Sequence, residues 1–214
     1  LPGTPLADYK PHTTALFTKI GEAFGKIDNA LYSYDHPAAH RELQWDLQNA
    51  SDVVEAHIHD IQNKEKQALI QNFIPLFKNN SVFKHLRTSV IHNDGNDYNL
   101  LIKAKSLGNG EISGILDFGD MVHSYTIAEL AIVCAYAMLH KPDPIKTAQS
   151  IISGYHQKFP IPKNEIEALF PLIIARLCTS VCLAAFQRSA NPNNQYLSIS
   201  EEPAWKLLAR LEKI

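Results

Sequence analysis

The sequence predicts a mainly α domain with a small β hairpin insert. Apolar residues recur at helical spacing on both sides of a central region, and only from about residue 90 to residue 116 do they fall into short runs bounded by turn residues. The third observation is chemical. His, Asp and Asn crowd the ends of those short runs, so the polar cluster sits on the insert.

Residues 1–11, LPGTPLADYKP, carry three prolines and show neither an initiator Met nor the basic and apolar blocks of a signal peptide. They are expected to form a hinge or linker, with the helical domain following over 12–214. From Thr13 onward Leu16, Phe17, Ile20, Phe24, Ile27 and Leu31 share one helical face, and His36-Pro37 breaks it. RELQWDLQNA is a short helical or turn segment. Helical patterns follow over 51–61 and 64–77, with Pro75 expected to kink or end the second, and Asn79-Asn80-Ser81 as the stop. Val90-Ile91 and the runs 100–104 and 112–116 read as strands, the last two joined through the turn at 108–110. Helices are then expected over 127–139, 144–159, 164–188 and 201–214, with Pro142, Pro144, Pro160, Pro162 and Pro192 at the joints.

Bulk chemistry narrows the function. Lys plus Arg total 20 against 22 Asp plus Glu, a formal charge of −2 and a pI near 6.6, which gives no electrostatic reason to expect nucleic acid or an anionic membrane surface. The three cysteines, Cys134, Cys178 and Cys182, all lie in apolar helical stretches, as expected of buried thiols in a reducing, cytoplasmic setting. The apolar stretch 127–139 is too short to span a bilayer, and 169–186 contains Pro171 and Arg176, so both are expected to be buried helices.

The cluster itself is VIHNDGNDYNLL at 90–101, followed by GILDFGDMVHS at 114–124. A loop before one strand and a loop after its hairpin partner lie at the same end of the hairpin, so Asp94, Asn99 and Asp117 converge. Three such oxygen-bearing groups suit a hard cation such as magnesium, and a carboxylate not engaged by metal can orient a hydroxyl and accept its proton. Asn-Asp-Gly-Asn is also ordinary turn chemistry, but that explains one loop and not the second acid-tipped strand.

Other candidates carry two readings each. Trp45 and Asp46 either hold an ammonium group or are a core tryptophan beside a solvated acid. His123 and Tyr125 either face an acceptor molecule or cap the following helix. His57 and His59 are two apart on a helix, so they diverge and a shared metal is not expected. Arg176 in its apolar helix needs a partner if buried.

His92-x-Asp94-x4-Asn99 followed by Asp117-Phe118-Gly119 resembles the catalytic and metal loops of the protein-kinase-like superfamily. IHNDGNDYNLLI and GILDFGDMVHSYTIAELAIVCAYAM look most like the aminoglycoside phosphotransferase family of small-molecule kinases, in particular its hydroxylysine-kinase-type branch, some members of which are fused to class III aminotransferases. LPG near the start and HPAAHRELQWDL at 36–47 fit that branch as well. The resemblance implies the helical C-terminal lobe of a protein-kinase-like fold, with ATP or GTP as co-substrate, Mg2+ as cofactor and a small-molecule hydroxyl as acceptor. By the same resemblance Asp94 is the catalytic base, His92 braces the loop, Asn99 and Asp117 bind magnesium, and Asp120 or Glu129 supports the loop from behind. One departure stands out: no glycine-rich phosphate loop and no strand lysine precede Asp94, so an N-terminal lobe ahead of the hinge is expected to supply them. A non-catalytic kinase-like module is the alternative. A metal-dependent hydrolase would need more His ligands than His92 and His123 offer.

Overall fold

The computed structural model describes residues 1–106, 109–190 and 201–214. Twelve regular elements appear in the order β1 (Thr4–Pro5), α1 (Thr14–Leu31), α2 (Ala50–His57), α3 (Lys64–Phe77), β2 (Thr88–Ile91), β3 (Leu100–Ser106), β4 (Asn109–Ile115), β5 (Val122–Tyr125), α4 (Thr126–Ala137), α5 (Pro144–Lys158), α6 (Lys163–Ala190) and α7 (Glu201–Leu211). The mainly α architecture with a small β insert is as the periodicity indicated.

Local chemistry sets the helix starts. The side chains of Thr13, Asn63 and Asp143 accept hydrogen bonds from the amides of Leu16, Lys66 and Lys146, satisfying donors that the first turn of a helix leaves free. Pro75 does not end α3, which continues to Phe77. The helix expected over 51–61 stops at His57 and tightens into a 3-10 turn at Ile58–Asp60, and the last helix ends at Leu211. His57 turns back onto Asp60 (Nδ1 to Oδ2, 3.0 Å), a local pair with no third ligand among the described residues, and the three cysteines are free and buried.

Helix α6 is the centre of the domain, packed by α2, α3, α4 and α7, with α4 also resting on α5. It is long and apolar enough to cross a membrane by length and composition, but 83% of its apolar window is buried inside the domain. Helices α1 and α5 cross at backbone contact. A Cβ on Gly21 would lie 1.9 Å from the Ile151 carbonyl oxygen and one on Gly154 would lie 1.9 Å from that of Thr18, so no larger residue fits either position. This crossing fixes α1, which in turn packs against β2 and β4.

The insert holds two small sheets. One is three-stranded in the order β1-β3-β4, and the other pairs β2 with β5, all antiparallel. Strand β4 faces β3 with Leu100 opposite Ile115, as the hairpin reading required. Gly108 of the expected turn and the joint at Pro192 lie outside the described residues. Two strands were not foreseen. β5 pairs Val122 with Ile91 and Tyr125 with Thr88. β1 joins Thr4–Pro5 to Leu101 and Ile102, and Leu6 and Tyr9 are buried in the core, so the segment expected to be a hinge is packed along the hairpin over those residues.

Candidate active site

The two loops meet at Leu116. Its amide donates to the Asn99 carbonyl (2.9 Å), and its own carbonyl accepts from Nε2 of His92 (2.9 Å). Asn99 stands just ahead of β3 and Leu116 just after β4, so hairpin register brings Asp117 to the end where Asn99 lies. A carbonyl can only accept, and the Asp94 amide that lies 3.2 Å from Nδ1 of His92 can only donate. His92 therefore carries its proton on Nε2, and its ring ties the Asp94 loop to the Asp117 loop.

The Asp94 loop is braced from inside. Asn93 sits at φ 67°, a left-handed conformation that asparagine tolerates, and this turns the amides of His92 and Asn93 toward α4. Both donate to Oε2 of Glu129, at 2.6 and 3.0 Å. Glu129 is fully buried, and burial pushes its carboxyl pKa upward. Next in line is Asp28 of α1, also fully buried and hydrogen-bonded by the Tyr155 hydroxyl. Burial first, and the neighbouring Glu129 charge second, hold it well above the usual carboxylate range. Glu129, rather than Asp120, is the acid behind the loop.

Asp94 is surrounded by donors. Nδ2 of Asn99 lies 2.7 Å from Oδ2, Nδ2 of Asn96 lies 2.9 Å from Oδ1, and Nη2 of Arg176 lies 3.7 Å from Oδ1. Burial raises its pKa above the ordinary carboxylate value, and the charge of Asp120 adds to this. Asn96 and Arg176 act the other way. The outcome is a partly exposed carboxylate that is a better proton acceptor than a free aspartate.

The Asp117 loop is exposed. Asp117 sits at φ 58° and accepts the Gly119 amide on Oδ1 (3.2 Å). Phe118 is 48% exposed, with its ring edge-on to His92 at 4.6 Å. Arg41 reaches over from the 36–49 segment and donates to the carbonyls of Gly119 and Met121. Asn99 spends its amide nitrogen on Asp94 and directs no hydrogen bond through Oδ1 among the described residues. That oxygen and the Asp117 carboxylate are hard oxygen donors of the kind magnesium, an ion that takes few protein oxygens, accepts. No group of three His, Cys, Asp or Glu able to hold a metal occurs among the described residues.

Other sequence candidates are placed differently. Trp45 has the Arg176 guanidinium 4.6 Å over its ring, so an internal cation occupies the aromatic face offered to an ammonium group. Asp46 is buried, not solvated. Its Oδ1 accepts from Ser124 Oγ and from the Gln48 amide, and burial raises its pKa. His123 and Tyr125 lie on β5 and do not cap α4 through their side chains; His123 stacks on His40 (4.4 Å between centroids) and Tyr125 packs near Phe83. Asp120 stays on the Asp117 loop, close enough for its charge to reach Asp94. Arg41, Asn96 and Asp28 were not singled out in the sequence. Only Arg41 left a signal there, as the one cation inside HPAAHRELQWDL.

The sequence profile of the phosphotransferase enzyme family matches residues 1–163, which include every residue of both loops. The chain belongs to the phosphotransferase enzyme family. Among curated members it is 33% identical over 222 residues to hydroxylysine kinase of Mus musculus, an alignment covering 99% of this chain and 58% of that protein. A zebrafish (Danio rerio) hydroxylysine kinase is 31% identical over 219 residues, covering 99% of this chain and 61% of the relative. The chain thus spans about three fifths of the length of the curated relatives it matches. Solved structures share the fold at low identity. A microcompartment-associated aminopropanol kinase superposes with a TM-score of 0.65 at 16% identity, over 94% of this chain and 63% of that one. The GDP complex of aminoglycoside 2'-phosphotransferase-IIIa gives 0.69 at 12% identity, over 98% and 69%. The helical domain with its small β insert shares the fold of these kinases, and the two acid-bearing loops lie on the insert.

Proposed function

We propose that this chain is the catalytic lobe of a small-molecule kinase that transfers the γ-phosphoryl group of ATP or GTP to a hydroxyl on a small amino acid or amino alcohol. The observation that carries the reading is the convergence at Leu116 of a donor-ringed Asp94 with the oxygen pair of Asn99 and Asp117. The names of the relatives, hydroxylysine kinase and aminopropanol kinase, support an acceptor that bears both a hydroxyl and an amine. Hydroxylysine is the first candidate, with homoserine, ethanolamine, choline and an aminoglycoside behind it.

In this mechanism Asp94 holds the acceptor hydroxyl and takes its proton as the oxygen bonds to the γ-phosphorus. The bond to the β-phosphate oxygen breaks, and the nucleoside diphosphate leaves. Asn99 and Asp117 would hold magnesium, which offsets charge on the phosphates when bound. His92 and Glu129 keep the loop in place. A second lobe carrying a phosphate-covering loop and a strand lysine is part of the proposal, since nothing ahead of Asp94 supplies either.

The test uses the full-length protein with magnesium, ATP or GTP and the acceptors above, with Asp94→Asn beside it. The expected result is one phosphorylated acceptor, with turnover about 1000-fold lower in the variant. Undiminished turnover in Asp94→Asn removes the base role. If no acceptor is phosphorylated and neither nucleotide binds, the chain is a non-catalytic kinase-like module.

A further inference from the structure

Arg176 lies in the buried middle of α6, the central helix of the domain, and is itself only 2% exposed. A guanidinium there loses its hydration at a cost of several kcal/mol by general estimate, and a methionine would fill a similar volume without that cost. Stability does not call for a charge at this place. The cation is instead held on several sides and aimed. Its Nη1 donates to the Trp45 carbonyl (2.9 Å), its carbon lies 4.6 Å over the Trp45 ring and 5.4 Å over that of Tyr136, and Nη2 stands 3.7 Å from Oδ1 of Asp94. Its Nε has no partner among the described residues. Asn96 and Asn99 each hold one carboxylate oxygen of Asp94 from within the same loop, whereas Arg176 comes from a packed helix.

We propose that Arg176 is a positioning residue for the catalytic base: clamped between Trp45 and Tyr136, it sets where the Asp94 carboxylate stands and which side of it an acceptor meets. The proposal rests on the kinase reading above. It gives the 36–49 segment a second role, because Trp45 of that segment fixes the cation while Arg41 of the same segment fixes the metal loop. It also explains why the face of Trp45 is occupied from within.

Three measurements on the full-length protein test it. In Arg176→Met, kcat for the phosphorylated acceptor should fall by about 100-fold, the penalty of roughly a 1 Å misplacement of a reacting group. The KM for nucleotide should be unchanged and the melting temperature equal to or above that of the parent. Arg176→Lys, which keeps a charge but loses the planar fork, should recover part of kcat. A crystal structure of Arg176→Met should show the Asp94 carboxylate displaced from its place beside Asn99. A variant with unchanged kcat overturns the proposal, and so does one that loses melting temperature and activity in step. An Asp94 carboxylate still in register with Asn99 in the variant structure also overturns it. If the parent protein phosphorylates nothing, the kinase reading fails by itself, and the crystal structure alone decides whether Arg176 positions Asp94.

Discussion

Residues 92–94 and residues 117–121 lie side by side, yet the first are fixed from inside the domain and the second from its surface. His92 and Asn93 are fully buried and donate to a buried glutamate on α4, and Asp94 is ringed by Asn96, Asn99 and a buried arginine. Asp117 and Phe118 are exposed, and the contacts that steady their loop come from one Gly119 amide, the His92 ring and an exposed arginine of the 36–49 segment. On the proposed function Asp94 is a proton acceptor, which must be in place before its substrate arrives, because small misplacements are costly. On the same proposal the Asp117 loop completes a metal's coordination only with ion and phosphates present, so fewer internal ties suffice. The difference is one of preorganisation against completion.

The contrast can be broken most severely at Glu129. Glu129→Ala leaves the buried amides of His92 and Asn93 without an acceptor, and at about 1–3 kcal/mol for each the expected loss is roughly 2–6 kcal/mol. Denaturant unfolding reads it, and Glu129→Gln, which keeps a carbonyl in place, should recover most of the loss. A loss below about 1 kcal/mol in the alanine variant would mean the loop is not held from α4. On the surface side, Arg41→Met should leave unfolding within about 0.5 kcal/mol of the parent. It should raise the magnesium concentration needed for half-maximal turnover by about tenfold, as losses of outer support around a metal do. Equal stability losses for Arg41→Met and Glu129→Ala would erase the distinction between the two loops.

The smallest effect is expected at Asp28. Folding raises its pKa, so the folded state gains while the group is protonated, and that gain fades as pH climbs above the ordinary carboxylate range. Asp28→Asn keeps an acceptor for Tyr155 and removes the buried charge. Its melting temperature should match the parent near pH 4 and exceed it near pH 8 by about 3 °C, roughly 1 kcal/mol for a domain of this size. A difference that does not change between the two pH values would place the proton elsewhere.

How much of this the sequence disclosed depended on whether the partners are local. His92, Asp94 and Asn99 share one short loop, and Asp117 follows at hairpin distance, so spacing alone brought them together. The helices were legible because one apolar face repeats over several turns, as from Leu16 to Leu31. Strand β5 was hidden because its inward positions are Val122 and Ser124, and a buried serine bonded to Asp46 breaks the apolar alternation. Strand β1 was hidden because Thr-Pro reads as a turn. Arg176 announced a need for a partner through its apolar surroundings, but nothing in the chain order points from it to Asp94 or to Trp45. The Asp28–Tyr155 contact joins residues on two helices that only the Gly21 and Gly154 crossing brings together.

The short strand β1 gives the site a mechanical address. Beyond its pairing with Leu101 and Ile102, the Leu6 amide donates to the Leu100 carbonyl (2.8 Å) and the Ala7 amide to the Asp97 carbonyl (3.1 Å). Asp97 lies within the Asp94 loop itself, and Leu100 follows Asn99 directly. A tug on residues 4–7 is therefore delivered, across single hydrogen bonds, to backbone on either side of Asn99. Strain on residues 4–7 does not dissipate in a remote surface loop; it registers on the backbone that flanks Asn99.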